Sequence, residues 1–388
     1  MSKVKLTDIC NITTGKLDSN AAEENGKYPY FTCAPEPLYI NEYAFDEDAI
    51  LLAGNNASGN FHCQRFKGKF NAYQRTYVIT SKEGYNIDYI YYNLKINLQY
   101  FKKISQGSQT KFLTMKILES FEVEDLNIEN QNKLVKILLY LDRKIENNNK
   151  INAELEVMAK TIYDYWFLQF EFPNEEGKPY KSSGGKMVWN EELKREIPEG
   201  WECKKLDEVF DFVKGKIPDK LFEKKDDELI EYLTIEAVNS GTIKYCSKES
   251  MVTTTGEVLM VMDGAASSDV YVGNIGVIGS TFCKLEIKNN YVDNNFLFLI
   301  MKKLEPIFKK VNTGSTVPHA NKNYINNFKI CLPKDDKLRF KLQQSIVSCI
   351  NKIVKNKQQN QELTYLQDFL LPLLMNGQVG FREVALAE

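Results

Sequence analysis

The chain has 388 residues, 43% hydrophobic and 26% charged, with a mean hydropathy of −0.39, the balance of a globular protein with room for two or three domains; this excludes disordered and collagen-like classes. No stretch approaches the roughly eighteen uncharged apolar residues of a membrane span, and the start, MSKVKLTDIC, has no apolar leader core, so a cytoplasmic protein with no membrane partner is expected. A net charge of −2 excludes a globally basic nucleic-acid protein, yet the sum hides a polarity along the chain.

Residues 1–48 carry nine acidic against four basic side chains. Over residues 49–118 the balance reverses to ten basic (Arg65, Lys67, Lys69, Arg75, Lys82, Lys95, Lys102, Lys103, Lys111, Lys116) against Glu83 and Asp88, a candidate phosphate-facing surface. Met once, such a stretch would be better read as a solvated lysine-rich face. Residues 49–54 (AILLAG) and 75–80 (RTYVIT) are short, β-rich and bounded by turn formers, so strands are predicted there. A helix over residues 87–103 closes the sheet, with a loop over 105–111 after it, and the first α+β domain is expected over 1–126.

The pattern then changes. Apolar residues recur at Leu134, Leu138, Leu141, Ile145, Leu155, Ile162 and Trp166, a three-four alternation that predicts a coiled-coil helix over 127–171, interrupted by Asn148 and Asn152. Residues 172–200, rich in Gly, Pro and charge, are expected to be a linker with a turn at Pro198-Glu199-Gly200.

From there the chain repeats itself. VKLTDICNITTGK from residue 4 aligns without gaps on KKLDEVFDFVKGK from residue 204, so that Lys5, Leu6, Gly15 and Lys16 recur as Lys205, Leu206, Gly215 and Lys216. Further on, Tyr91 falls on Phe298, Phe101-Lys102-Lys103-Ile104 on Phe308-Lys309-Lys310-Val311, and Gly107-Ser108 on Gly314-Ser315. A second α+β domain is therefore expected over 201–333, with strands in residues 256–264 and 273–280, a helix over 295–310 and a loop over 312–321. The charge polarity recurs too: nine basic against fourteen acidic residues over 197–257, then nine against five over 258–334. A basic half that returns at the same place reads as functional.

A second long helix is expected over 334–376, followed by a tail over 377–388. Its apolar positions Leu342, Ile346, Cys349, Ile353, Leu363, Leu370 and Leu374 match the first at an offset of 208, and Asn356 and Asn360 interrupt it where Asn148 and Asn152 interrupt the other. Seam asparagines lower stability but set register and partner, because a slipped pairing leaves each amide against apolar groups. The two helices are expected to pair with each other as an antiparallel coiled coil.

Catalytic signatures are missing. A DNA methyltransferase would need a glycine-rich cofactor loop after a strand and an Asn/Asp-Pro-Pro-aromatic loop, and neither is present. Gly15-Lys16 and Gly215-Lys216 are followed by Leu17 and Ile217, not by the Ser or Thr of a phosphate loop. His62 and His319 are the only histidines, and the eight cysteines are scattered singly, so no metal site is expected and the thiols read as reduced structural cysteines. The expected protein binds, and something else does the chemistry.

Two α+β domains, each followed by a long helix, together with Tyr163-Asp164-Tyr165-Trp166-Phe167 leading to Phe172-Pro173, the stretch from Gly177-Lys178-Pro179-Tyr180 to Gly184-Gly185-Lys186-Met187, and Ile197-Pro198-Glu199-Gly200-Trp201, resemble the specificity subunit of type I restriction-modification enzymes over nearly the whole chain. That family often opens each helix with Pro then Glu-Gln, where this chain has Asn130-Gln131 and Pro333 without the dipeptide. The resemblance implies two target-recognition domains reading the halves of a split site in double-stranded DNA. It implies two methyltransferase subunits that carry S-adenosylmethionine, none of which is expected in this chain, and restriction–translocase subunits that cut unmethylated DNA.

Base readout needs side chains that hydrogen-bond base edges, with cations on phosphates. The first domain offers Asn55, Asn56, Ser58, Gln64, Arg65, Lys67, Lys69, Gln74, Arg75, Ser108, Gln109 and Lys111; the second offers Asp263, Ser267, Ser268, Asn274, Ser315, Thr316, His319, Asn321 and Lys322. For any one of them, an exposed loop residue of no consequence is at least as good a reading as a base contact. The two loops differ in sequence within a repeated framework, which predicts different half-sites and a non-palindromic target. The rival reading is a two-domain coiled-coil adaptor between proteins, separated from DNA recognition by the salt and sequence dependence of duplex binding.

Overall fold

The computed structural model describes residues 2–107, 109–239, 243–248, 253–314 and 316–378. Met1–Lys144 with Leu363–Glu388 form one unit and Ile145–Glu362 another, so each unit combines one α+β domain with a segment of each long helix.

In the first unit, strand Lys3–Lys5 pairs antiparallel with Glu122–Glu124, and the register sets Lys3 opposite Glu124 and Lys5 opposite Glu122, matching opposite charges across the ladder. The main sheet runs in the order Cys10–Thr14, Thr76–Ser81, Phe45–Ala53, Cys63–Ala72, Tyr28–Phe31, Leu38–Ile40. Only the pairing of Tyr28–Phe31 with Cys63–Ala72 is parallel. Ile50 and Leu52 enter a core with Tyr89, Tyr92 and Phe101, while Ala49 and Leu51 enter a second core with Phe31 and Phe70. Burial on both faces is why this strand reads as an unbroken apolar run. The helix expected over 87–103 is two helices, Ile87–Ile96 and Leu98–Ile104. Between them the Asn97 side chain donates to the Asn93 carbonyl at 2.8 Å, taking the acceptor that a continuous helix would give to the N–H of residue 97.

The second unit repeats the frame with a divided sheet. Trp201–Lys205 pairs antiparallel with Lys329–Pro333. One four-stranded sheet runs Phe210–Lys214, Phe282–Ile287, Leu259–Val261, Val270–Tyr271, and another Lys244–Ser247, Leu229–Leu233, Ile275–Ile278, Thr253–Thr255. The strands expected over 256–264 and 273–280 shrink to Leu259–Val261 and Ile275–Ile278, because Gly256 and Gly273 adopt φ of 105° and 84°, which breaks the pleat. The closing helix is Asn294–Lys310, capped by Asp293, which accepts from the N–H of Phe296 at 2.7 Å, as Asn86 caps the first unit's helix by accepting from Asp88 at 2.7 Å. The stretch expected to be a linker is folded: Met187–Asn190 and Arg195–Pro198 form a hairpin, and Phe170 and Phe172 pack on buried Trp201 at 5.3 and 5.1 Å between ring centres. These rings supply an apolar anchor that Gly, Pro and charge conceal in the composition.

The long helices span Ile128–Tyr163, continued by a π-helical turn Asp164–Leu168, and Asp336–Met375. Their starts rest on side-chain caps, with Asn127 accepting from the N–H of Asn130 at 2.9 Å and Asp335 from that of Leu338 at 2.6 Å. In the second unit Asn148 donates to Asn360 at 2.8 Å and to Gln359 at 3.0 Å, and Asn356 donates to Asn152 at 2.8 Å, with Asn148, Asn152 and Asn356 buried. In the first unit Gln367 donates to Asp142 at 2.7 Å. Among the described residues no helix is long and apolar enough to cross a membrane. Of the expected tail, residues 379–388 lie outside the described residues.

Candidate functional site

The two domains hold their loops by matching backbone bonds. Leu6 N–H donates to Phe121 O and Leu206 N–H to Phe328 O, both at 2.9 Å; Leu113 N–H donates to Gly54 O at 2.9 Å and Ala320 N–H to Met262 O at 2.8 Å. The repeated Gly-Lys also gains a reason. A Cβ on Gly15 would lie 1.7 Å from the Ala72 carbonyl oxygen, and one on Gly215 would lie 2.3 Å from that of Gly279, so both glycines serve backbone close approach.

In the first unit, Asn55–Asn56 pairs antiparallel with Lys111–Phe112, which joins one turn to the loop after the closing helices. The loop itself turns at Gly107, φ 104°, where a Cβ would strike the Thr110 carbonyl at 2.0 Å. Asn56 is spent on the turn, accepting from the N–H groups of Ser58 at 2.9 Å and Asn60 at 3.0 Å. Asn55, half-buried, has no side-chain hydrogen-bond partner among the described residues. Lys102 donates to Asn60 at 2.6 Å, and the Arg75 guanidinium lies 5.6 Å from the centre of the Phe112 ring. Gln74 and Gln109 are exposed nearby in sequence; Ser108 lies outside the described residues.

The strand residues proposed alongside them separate into different environments. Gln64 donates to the Pro35 carbonyl at 2.6 Å, next to His62, whose ring sits 2.8 Å from the Ala34 carbonyl and is held below its ordinary pKa by burial. Burial pushes the Cys63 thiol up to about 12. Arg65 is engaged inward, 2.7 Å from Asp48, 2.8 Å from Asp88 and donating to the Ala49 carbonyl at 2.8 Å. Lys67 and Lys69 are exposed, Lys69 4.5 Å from the centre of the Tyr43 ring. Lys69 lies six residues beyond Cys63 on the strand, about 20 Å at the usual rise, so it is remote from the loop cluster.

In the second unit, Asp263 bridges His319 as Asn55 pairs with Phe112, and the loop turns at Gly314, φ 91°. His319 Nδ1 is 2.8 Å from Asp263 Oδ1, and Lys214 Nζ is 4.0 Å from Oδ2. Around them opens a cleft of about 320 Å³ whose polar lining is Lys214, Asp263, Thr313, Asn321, Lys322 and Asn323. Cys283 also lines it, its thiol raised by burial. Asn321 caps the helix Lys322–Asn327, accepting from Tyr324 N–H at 3.1 Å, and Lys322 lies 5.2 Å from the Phe212 ring centre. Ser267 and Ser268 are buried, at 1% and 0% exposure, and bond to Asn312 at 2.7 Å each, so they brace the loop from beneath. Asn274 follows the Gly273 break and is not among the residues that line the cleft, Thr316 is exposed on the loop turn, and Ser315 lies outside the described residues. Lys214 and Asn323 are absent from the sequence-derived candidates, whereas Lys102 belongs to the basic stretch of residues 49–118. The signal for Lys214 was present, since it directly precedes the repeated Gly-Lys.

One loop-bearing frame built twice, with different side chains on each copy, defines a duplicated binding protein. Residues 1–157 and 198–365 match the family described as the type I restriction modification DNA specificity domain, and the chain belongs to that family. It is similar to the type I restriction enzyme MjaIX specificity subunit of Methanocaldococcus jannaschii, at 28% identity over 426 aligned positions that cover 98% of this chain and 94% of that protein. The EcoDI specificity subunit of Escherichia coli is 29% identical over 328 residues, 76% of this chain and 68% of that one. Among solved structures, the type I restriction-modification S subunit from M. genitalium shares the fold at a TM-score of 0.60, with 17% identity over 96% of each chain.

Proposed function

We propose that this chain is the non-catalytic DNA-specificity subunit of a type I restriction-modification enzyme, reading one half of a split duplex target with each α+β domain. The observation that carries the reading is the loop cluster built twice by equivalent hydrogen bonds but furnished with Asn55, Lys111 and Phe112 in one copy and Asp263, His319 and Lys322 in the other. Amide and carboxylate groups suit base edges, and the surrounding cations suit phosphates. Different furnishing means different half-sites and a non-palindromic target. The recognition domains are residues 1–126 and 201–333. Methyltransferase subunits bring S-adenosylmethionine, restriction–translocase subunits join them, and the assembly works in the cytoplasm.

In the same reading the long helices pair as an antiparallel coiled coil and space the two domains. The bonds of Asn148 to Asn360 and of Asn356 to Asn152 support this, because numbers rise along one helix as they fall along the other. Seven residues inserted after Asn149 and seven after Lys357 keep the heptad phase and add roughly 10 Å, so the unread gap should grow by about three base pairs. Altered half-site bases with an unchanged gap would refute the spacer role.

The main test is to assemble the chain with its methyltransferase partner and map methylated adenines. One split sequence is expected, with duplex affinity that falls steeply with salt. Binding that ignores sequence would favour the protein adaptor.

A further inference from the structure

We infer that Asn55 and Asp263 are equivalent specificity-determining residues, Asn55 reading an adenine in one half-site and Asp263 accepting from the exocyclic amino group of a cytosine in the other. The inference rests on the recognition reading above and assigns it to two atoms groups of the chain.

The equivalence comes from the backbone. Asn55 directly follows Gly54, whose carbonyl accepts from Leu113, and Asp263 directly follows Met262, whose carbonyl accepts from Ala320. Asn55 pairs with Phe112 and Asp263 with His319, which stand at one position of the repeat. Neighbouring candidates are committed elsewhere: Asn56 to its turn, Asn321 to a helix cap, Ser267 and Ser268 to Asn312. On the strand that precedes each loop cluster, this leaves Asn55 in the first domain and Asp263 in the second as the side chains suited to a base edge.

A carboxylate on a surface that meets phosphates repels them, so its presence needs a reason. The fold is not the reason, because the first unit builds the same ladder with an amide and a phenyl ring and has no ion pair at that position among the described residues. His319, at 2.8 Å, orients one oxygen, and Lys214, at 4.0 Å, offsets the charge. The carboxylate remains about one-third exposed at the mouth of the cleft. A carboxylate only accepts hydrogen bonds, and in the major groove the cytosine amino group is a donor that it fits; a carboxamide both donates and accepts, and fits the N6 and N7 edge of adenine.

The experiment uses the full chain with its methyltransferase partner and a randomised duplex library, sequencing bound and methylated products for the wild type, Asp263→Asn, Asn55→Asp and His319→Phe. Asp263→Asn should lower the preference for cytosine at one position of one half-site by about ten- to a hundredfold and raise adenine there, with the other half-site unchanged. Asn55→Asp should do the reverse in the other half. His319→Phe, which installs the first unit's residue at that position, keeps the carboxylate and should blur the same position less. Should Asp263→Asn weaken every sequence alike, the inference is overturned and Asp263 is a local brace. A wild-type complex without any sequence preference would overturn the recognition reading and this inference with it.

Discussion

In the first unit Phe45–Ala53 and Cys63–Ala72 run side by side as unbroken strands, whereas the corresponding chain of the second unit is cut at Gly256 and Gly273, and one sheet becomes two. The unbroken pair carries its own charge register, with Asp46 opposite Lys69 and Asp48 opposite Lys67. The cut pair bends where a Cβ on Gly273 would come within 3.0 Å of Val354 on the second long helix, inside the same unit. Yet the loop clusters at the strand ends are held by the same bonds. The difference shows that the binding frame depends on a few close backbone approaches near Gly15 and Gly215, and that the outer sheet is free to change.

The sharpest way to break that comparison is at the shared glycines. Gly15→Ala and Gly215→Ala should each destabilise their own unit by about 3 kcal/mol, read as lost hydrogen-exchange protection in that unit alone. A neutral result for either would show that its unit does not rely on the close approach.

The helix seams come next. Asn152→Leu leaves the buried Asn356 amide without its acceptor at 2.8 Å and should destabilise the second unit by about 1–3 kcal/mol in urea unfolding. The double change to leucine should recover most of that loss while loosening register. In the first unit Gln367→Leu should do less harm, since Asp142 keeps its bond from Tyr92. Equal losses in the two units would deny that their seams differ.

Lys111→Ala and Lys322→Ala probe the part that both units share in function. Each should weaken duplex binding for all sequences alike and lower the slope of log affinity against log salt by about one. A change in the preferred bases, measured by anisotropy on a panel of duplexes, would instead assign that lysine to readout.

The smallest effect belongs to His62, whose pKa is lowered from 6.5 by burial. Its unfolded form binds protons first as pH falls, so the stability tied to the neutral ring is complete above about 6.5 and declines below it. His62→Gln should flatten the acid side of the first unit's stability profile. An unchanged slope would place the acid sensitivity elsewhere.

Much of this molecule is legible in its residues because the signals are local or repeated. The duplication is carried by Lys5, Leu6, Gly15 and Lys16 and their counterparts, and the long helices by apolar spacing that a 3.6-residue turn alone reveals. The interruption by asparagines at matched positions is likewise written in the sequence. Family membership follows from the same features together with the aromatic connection from Tyr163 to Trp201.

The tertiary structure decided the rest, because burial and pairing depend on which distant segments meet. Arg65 counts as a basic candidate in the sequence, but folding brings Asp48 and Asp88 to its guanidinium and turns it inward. Ser267 and Ser268 lie in a polar stretch, yet Asn312 draws them beneath the loop. Residues 172–200 have a linker's composition, and only the meeting of Phe170, Phe172 and Trp201 folds them. Lys214 joins the candidate cleft through Asp263, a residue 49 positions away in the chain. Periodicity encodes which face of an element is apolar, whereas which charges neutralise each other is settled by three-dimensional contact.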